Sequence, residues 1–182
     1  MASIVIGIGE CQVSSNPADV LVTHALGSCI AILVHDPVVK VAGLLHFMLP
    51  ESSLDLDKAA KRPYVFADTG IPMLFKEAYK LGAVKSRMIV MATGGAQMLD
   101  PEGTFNIGKR NHLAMRKIFW KAGVIVHKEE VGGTVSRTVR IEVGTGAVKL
   151  RVTGEPEQDM VAHVQTPKRI GASDGLQHTH RG

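Results

Sequence analysis

The stretch LGSCIAILVHDPVVKVAGLLHFML, residues 26–49, decides how the chain folds. Two apolar runs, residues 29–35 and 40–48, flank Asp36-Pro37-Val38-Val39. Strand-forming runs on either side of a short Asp-Pro segment read as a β-hairpin with a four-residue loop. Symmetric closure around residues 36–39 pairs His35 with Lys40, Leu33 with Ala42, Ala31 with Leu44 and Cys29 with His46. Residues opposed in an antiparallel pair share a face, with Cβ atoms about 4.5–5.5 Å apart. A slip of one residue would send the thiol and the imidazole to opposite faces.

Working outward, residues 2–8 and 18–26 read as strands, with the Asn16-Pro17 turn between them. The polar segment from Pro50 to Arg62 reads as a loop. Asp68 or Thr69 is the expected cap of a first helix, with Pro72 in its opening turn. Ile71, Leu74, Phe75, Ala78 and Leu81 form its apolar face, and Gly82 ends it. Residues 86–93 form a buried strand broken by Gly94-Gly95. A second helix runs from about 106 to 122, with Ile107, Ala114, Met115, Ile118 and Phe119 on one side. Residues 124–131 read as a strand, and residues 136–143 and 147–152 flank Gly144-Thr145-Gly146 as a second hairpin. The fold class is α/β, with layered mixed or antiparallel sheets and two main amphipathic helices. One domain spans residues 1–153. Residues 154–182, rich in Gly, Pro, Gln and charge, read as a flexible tail. His178 and His180 in that tail suggest only adventitious metal binding.

Composition narrows the function. The 182 residues are 45% hydrophobic and 21% charged, as in ordinary globular domains. No apolar run is long enough to span a bilayer, and the first residues lack a basic leader, so the expected location is the cytoplasm, without membrane insertion. Two cysteines make no disulfide framework, and the eight histidines do not fall at zinc-finger spacing. The pattern asks for no cofactor and no metal. A net charge of +4 with only 4% aromatic residues lacks the dense basic, stacking surface of a nucleic-acid platform.

Cys29 has two readings. Cysteine is among the most buried residue types, and His46 within an apolar run is compatible with a core imidazole. Alternatively, a thiol beside an imidazole is the nucleophile of cysteine hydrolases, and pairing with His46 predicts a lowered Cys29 pKa. Such a unit needs a third group to orient the imidazole. Thr23, six residues before Cys29 across a turn, is placed to do so. Gly27 lets the backbone bend at Ser28-Cys29, whose amides can then face a developing oxyanion. Cys11 reads as structural, and His24 and His35 as surface or loop residues.

The blocks GIGE (7–10), LGSC (26–29), HDP (35–37), GLLHFMLP (43–50) and ADTGIP (67–72) occur in order. GGAQM (94–98), NIGKRN (106–111) and EEVGGTVSRTVRIEVGTGAVKLRV (129–152) follow. Together they resemble the CheD family, chemoreceptor glutamine deamidases of bacterial and archaeal chemotaxis. The resemblance implies a layered α/β fold similar to that of toxin deamidases. It also implies a catalytic triad at Cys29, His46 and Thr23. The implied substrate is a glutamine side chain on the cytoplasmic helical bundle of methyl-accepting chemotaxis receptors, converted to glutamate through a thioester with release of ammonia. The implied second partner is a CheC-type phosphatase, and a non-catalytic adaptor role is the alternative. The Gly94-Gly95 loop and residues 66–69 are then expected to line the receptor-binding surface. His24, beside Thr23, departs from the small or apolar residue expected there.

Overall fold

The computed structural model describes residues 2–98 and 102–162. In chain order the elements are β1 (Ala2–Val5), β2 (Glu10–Ser14), β3 (Asp19–Leu26), β4 (Ile30–Asp36), β5 (Val41–Phe47), α1 (Leu56–Lys61), α2 (Ala67–Lys80), β6 (Ile89–Gly94), α3 (Ile107–Ala122), β7 (Lys128–Val131), β8 (Arg137–Glu142), β9 (Val148–Val152) and β10 (Gln158–Asp159). They form two five-stranded sheets. The first has the order β1-β3-β8-β9-β10 and the second β2-β5-β4-β6-β7. Each sheet is mixed, because β1–β3 and β6–β7 pair in parallel and the other neighbours are antiparallel.

The hairpin of the opening stretch lies at the centre of the second sheet, which explains its near-continuous hydrophobicity. Every residue of β4 and β5 is buried, as expected for strands covered on both faces. Ile30, Ile32 and Val34, with Leu45 and Phe47, face α2 and α3 and pack on Leu74, Phe75, Met115 and Phe119. Cys29, Ala31 and Leu33, with Ala42 and Leu44, face the first sheet and pack on Leu21, Val139, Ile141 and Leu150. The molecule is therefore three layers deep: helices, second sheet, first sheet. Fully burying each large aliphatic or aromatic side chain contributes about 1.5–3 kcal/mol, so both seams are strongly driven.

The hairpin register differs from the symmetric expectation by two residues. Asp36 pairs with Val41, and the ladder runs through Ala31 with His46 to Ile30 with Phe47. Asp36 stays in the strand because its buried carboxylate is occupied there. It accepts from the Val38 N–H at 3.0 Å, the Val84 N–H at 2.9 Å and the Arg87 guanidinium at 2.7 Å. Lys40, at φ 52°, belongs to the turn instead. A two-residue shift preserves side-chain parity, so the faces are as expected although the partners are not.

Other expectations shift in smaller ways. Helix α2 starts at Ala67 with Phe66 at its cap, and the Asp68 carboxylate instead accepts from the Ser52 N–H and hydroxyl. The segment read as a loop contains α1, capped by Asp55 through the Lys58 N–H. The short strand β2 has no counterpart in the sequence reading. Beyond residue 153, β10 pairs with β9 and Met160 is buried between the sheets. His178, His180 and the rest of the tail lie outside the described residues.

Candidate active site

Strand β3 ends irregularly. Its register with β8 shifts between Thr23 and Leu26, with Ala25 at φ 53°. The kink carries the chain across to β4 through Gly27, Ser28 and Cys29. This turn is held from two sides. Beyond β6, the Gly95 N–H donates to the Cys29 carbonyl and the Ala96 N–H to the Gly27 carbonyl, both at 2.8 Å. From α3, the Asn111 side-chain amide donates to the Ser28 carbonyl at 3.0 Å and to the Met48 carbonyl at 2.8 Å.

Two glycines make these close approaches possible. A Cβ on Gly94 would lie 2.2 Å from the Cys29 carbonyl oxygen, and Gly94 has φ 114°. A Cβ on Gly108, in the first turn of α3, would lie 2.5 Å from the Gly95 carbonyl oxygen. Backbone rests on backbone at both points, which only glycine permits. The GGAQM and NIGKRN segments are thus the scaffold behind Cys29.

Cys29 is 8% exposed and lines an open groove of about 510 Å³. Gly27, Ser28, Ala96, Gln97 and Met98 share its wall, and Phe105 stands on the rim. The size suits one side chain with its flanking backbone. The chain just past Gly94-Gly95 lines this groove, through Ala96, Gln97 and Met98. Residues 66–69 lie away from this groove: Phe66 and Ala67 are buried in the core, Asp68 is exposed, and the Thr69 hydroxyl bonds the Pro63 carbonyl.

His46, near the end of β5, is 2% exposed. Its Nδ1 lies 2.8 Å from the Thr23 hydroxyl, and the same hydroxyl donates to the Ile6 carbonyl at 2.7 Å. These two contacts fix the tautomer. A carbonyl only accepts, so the single hydroxyl proton of Thr23 goes to Ile6. Thr23 must then accept from His46, which places the ring proton on Nδ1 and a lone pair on Nε2. That Nε2 is buried and makes no hydrogen bond among the described residues.

Cys29 follows Ala31's parity and so lies on the face of β4 that His46 occupies on β5. The two are diagonal rather than directly opposed, a relation that spans about 7–8 Å in a regular ladder. They are not hydrogen-bonded to one another. The structure thus joins Thr23 to His46 directly, and places Cys29 with Gly27 and Ser28 at the groove on the same face. Burial pushes the Cys29 thiol up to about 11, opposed by its own backbone N–H. Burial also lowers His46 to about 4, opposed by the charge of Glu10. The resting pair is a neutral thiol and a neutral imidazole, which corrects the expectation of a lowered Cys29 pKa. Desolvation outweighs a partner that is not yet in contact.

His24 is exposed as expected, but His35 is not a surface residue. It is buried between the sheets, where its Nε2 lies 3.1 Å from the Val143 carbonyl. Asn111 closes the NIGKRN block, but the sequence reading gave it no role. Its signal was available: a carboxamide on the same helical stripe as Gly108, Met115 and Phe119, where an apolar residue belongs. Among the described residues no three His, Cys, Asp or Glu side chains are grouped to hold a metal, and no helix is long and apolar enough to cross a membrane.

Residues 48–152 match the family model described as CheD chemotactic sensory transduction. The chain is 51% identical to the probable chemoreceptor glutamine deamidase CheD 1 of Syntrophus aciditrophicus, over 88% of this chain and 100% of that protein. The chain belongs to the CheD family. Another curated member, the probable chemoreceptor glutamine deamidase CheD of Solibacter usitatus, is 48% identical over 87% of this chain and 94% of that protein. The chemoreceptor glutamine deamidase CheD of Thermotoga maritima is 41% identical over 85% and 94%. The CheD match begins two residues after His46 and takes in the Gly94-Gly95 loop and α3, the scaffold on which the Cys29 turn rests.

Proposed function

We propose that this protein is a hydrolase that deamidates glutamine side chains of chemoreceptors, with Cys29 as nucleophile, His46 as base and acid, and Thr23 as the group that orients His46. The activity named for its CheD relatives supports the reaction class. The observation that carries the residue roles is the tautomer of His46. With Nδ1 committed to Thr23, the unpartnered Nε2 is the only ring nitrogen able to take a proton, and it shares a face with a groove-lining thiol.

The chemistry follows from that arrangement. A glutamine carboxamide entering the groove brings its carbonyl carbon to Cys29 Sγ. The thiol proton passes to His46 Nε2 as the S–C bond forms, and negative charge collects on the amide oxygen. Imidazolium formation is favoured at that moment because the Nδ1–H bond to Thr23 strengthens as the ring becomes charged. His46 then returns the proton to the nitrogen, the C–N bond breaks, and ammonia leaves a thioester on Cys29. A water, deprotonated by Nε2, attacks the thioester and releases glutamate and the thiol. A cysteine of high resting pKa fits this scheme, since proton transfer is coupled to attack.

The test is incubation of a receptor cytoplasmic fragment with the wild type and with Cys29→Ala, followed by mass spectrometry and ammonia assay. Conversion of glutamine to glutamate by the wild type alone is the expected result. A fragment left unmodified by both, yet bound, would replace the enzyme by an adaptor.

A further inference from the structure

We infer that Asn111 is a positioning residue that aims the Cys29 N–H into the groove as an oxyanion donor. The inference rests on the thiol chemistry proposed above and adds to it a residue outside the triad. Ser28 and Cys29 share one peptide unit. In a trans peptide the C=O and the N–H point in opposite directions, so fixing one fixes the other. Asn111 fixes the C=O.

Its carboxamide sits where the β4–β5 ladder ends. One side-chain nitrogen serves the Ser28 and Met48 carbonyls, at 3.0 and 2.8 Å, just past the last ladder pair, Ile30 with Phe47. Two carbonyl acceptors on one terminus identify that terminus as the nitrogen. The other terminus, Oδ1, is fully buried and has no partner among the described residues. Asn111 itself is 0% exposed. A residue chosen for helix stability alone would not leave an orphaned acceptor at that depth.

The other end of that peptide unit belongs to Cys29, which lines the groove together with Ser28. The Cys29 N–H donates to no acceptor among the described residues, although the Cys29 carbonyl is bonded to Gly95. A free amide beside the attacking sulfur is where the oxygen of a tetrahedral adduct arrives. Gly95 holds the Cys29 carbonyl and Asn111 holds the Ser28 carbonyl, so the donor is clamped on both flanks before substrate binds.

The test separates two reactions of one sulfur. Acetylation of Cys29 by p-nitrophenyl acetate forms an S–C bond, passes through an oxyanion and expels p-nitrophenolate. Alkylation by iodoacetamide displaces iodide and forms no oxyanion. In Asn111→Ala, acetylation should fall by about 10²-fold, as when an oxyanion donor is lost, while alkylation stays close to wild type. Asn111→Asp, of equal volume but without the amide donors, should behave likewise and is read if the alanine variant does not fold. Equal falls in both reactions would mark Asn111 as merely structural, and unchanged acetylation would overturn the inference. In the wild type, a through-bond NMR coupling from the Asn111 side-chain nitrogen to the Ser28 carbonyl carbon should be observed, and its absence also overturns it. Because the probes need no receptor, a wild type that acetylates normally but ignores receptor glutamine defeats the deamidase reading alone.

Discussion

Thr23 carries more of the site than its size suggests. One hydroxyl satisfies the Ile6 carbonyl and selects the His46 tautomer. Thr23→Val keeps the shape and removes both contacts, so turnover should drop by about 10²-fold, the order expected when a reacting group is misplaced by about an ångström. Thr23→Ser should recover most of it. Steady-state kinetics on the three proteins check this, and a valine variant with full activity would end the assignment. The acidic limb of the pH profile is a second test. In the proposed mechanism His46 is a neutral base, so activity is lost when the ring protonates. With the ring lowered to about 4, kcat/KM should hold from neutrality to about pH 5 and fall only below it. An unperturbed histidine would begin to fail near 6.5. Cys29, raised to about 11, should react with iodoacetamide at pH 7 more slowly than a free thiol of pKa near 8.5.

At the scale of elements, the central hairpin is pinned at its tip by Asp36. Burial raises that carboxyl, but the Arg87 guanidinium and the Val84 and Val38 amides prevail and bring it down to about 2. Its folded pKa lies below the unfolded value, so this contribution is present above about pH 4 and is lost as pH falls toward 2. Arg87→Met strands the buried carboxylate and should cost about 3 kcal/mol at pH 7, read by urea unfolding, with a shallower acid dependence than the wild type. At the other end of the hairpin, Gly94→Ala drives a methyl into the Cys29 carbonyl and should cost about 1–3 kcal/mol, together with activity. The sequence carried the hairpin plainly, because strands buried on both faces leave unmistakable apolar runs. It did not carry the turn boundary. Asp36 is drawn into the ladder by Val84 and Arg87, about fifty residues away, and no local propensity encodes that. The parity of Cys29 and His46 survived because the error was two residues.

For the whole molecule, the layer order was legible in part. Two amphipathic helices and two hairpins predicted an α/β layering. Strand β2 was missed because Glu10–Ser14 is short and half-exposed, with only Ser14 buried. The depth of His35 was missed because its partner, the Val143 carbonyl, lies on the other sheet. Such contacts between layers are products of assembly and leave no periodicity behind. Asn111 was overlooked for the same reason: its acceptors are carbonyls on Ser28 and Met48, far away in sequence.

The bond between Thr23 and His46 runs from one sheet to the other, with Ile6 following the edge strand of the first. Neither sheet alone can orient the imidazole. If low urea loosens the seam ahead of the strands, far-ultraviolet dichroism should stay native while turnover disappears. Catalysis in this protein is then a gauge of how firmly its two halves are seated, and slow docking of the layers would set the moment at which a newly made chain becomes an enzyme.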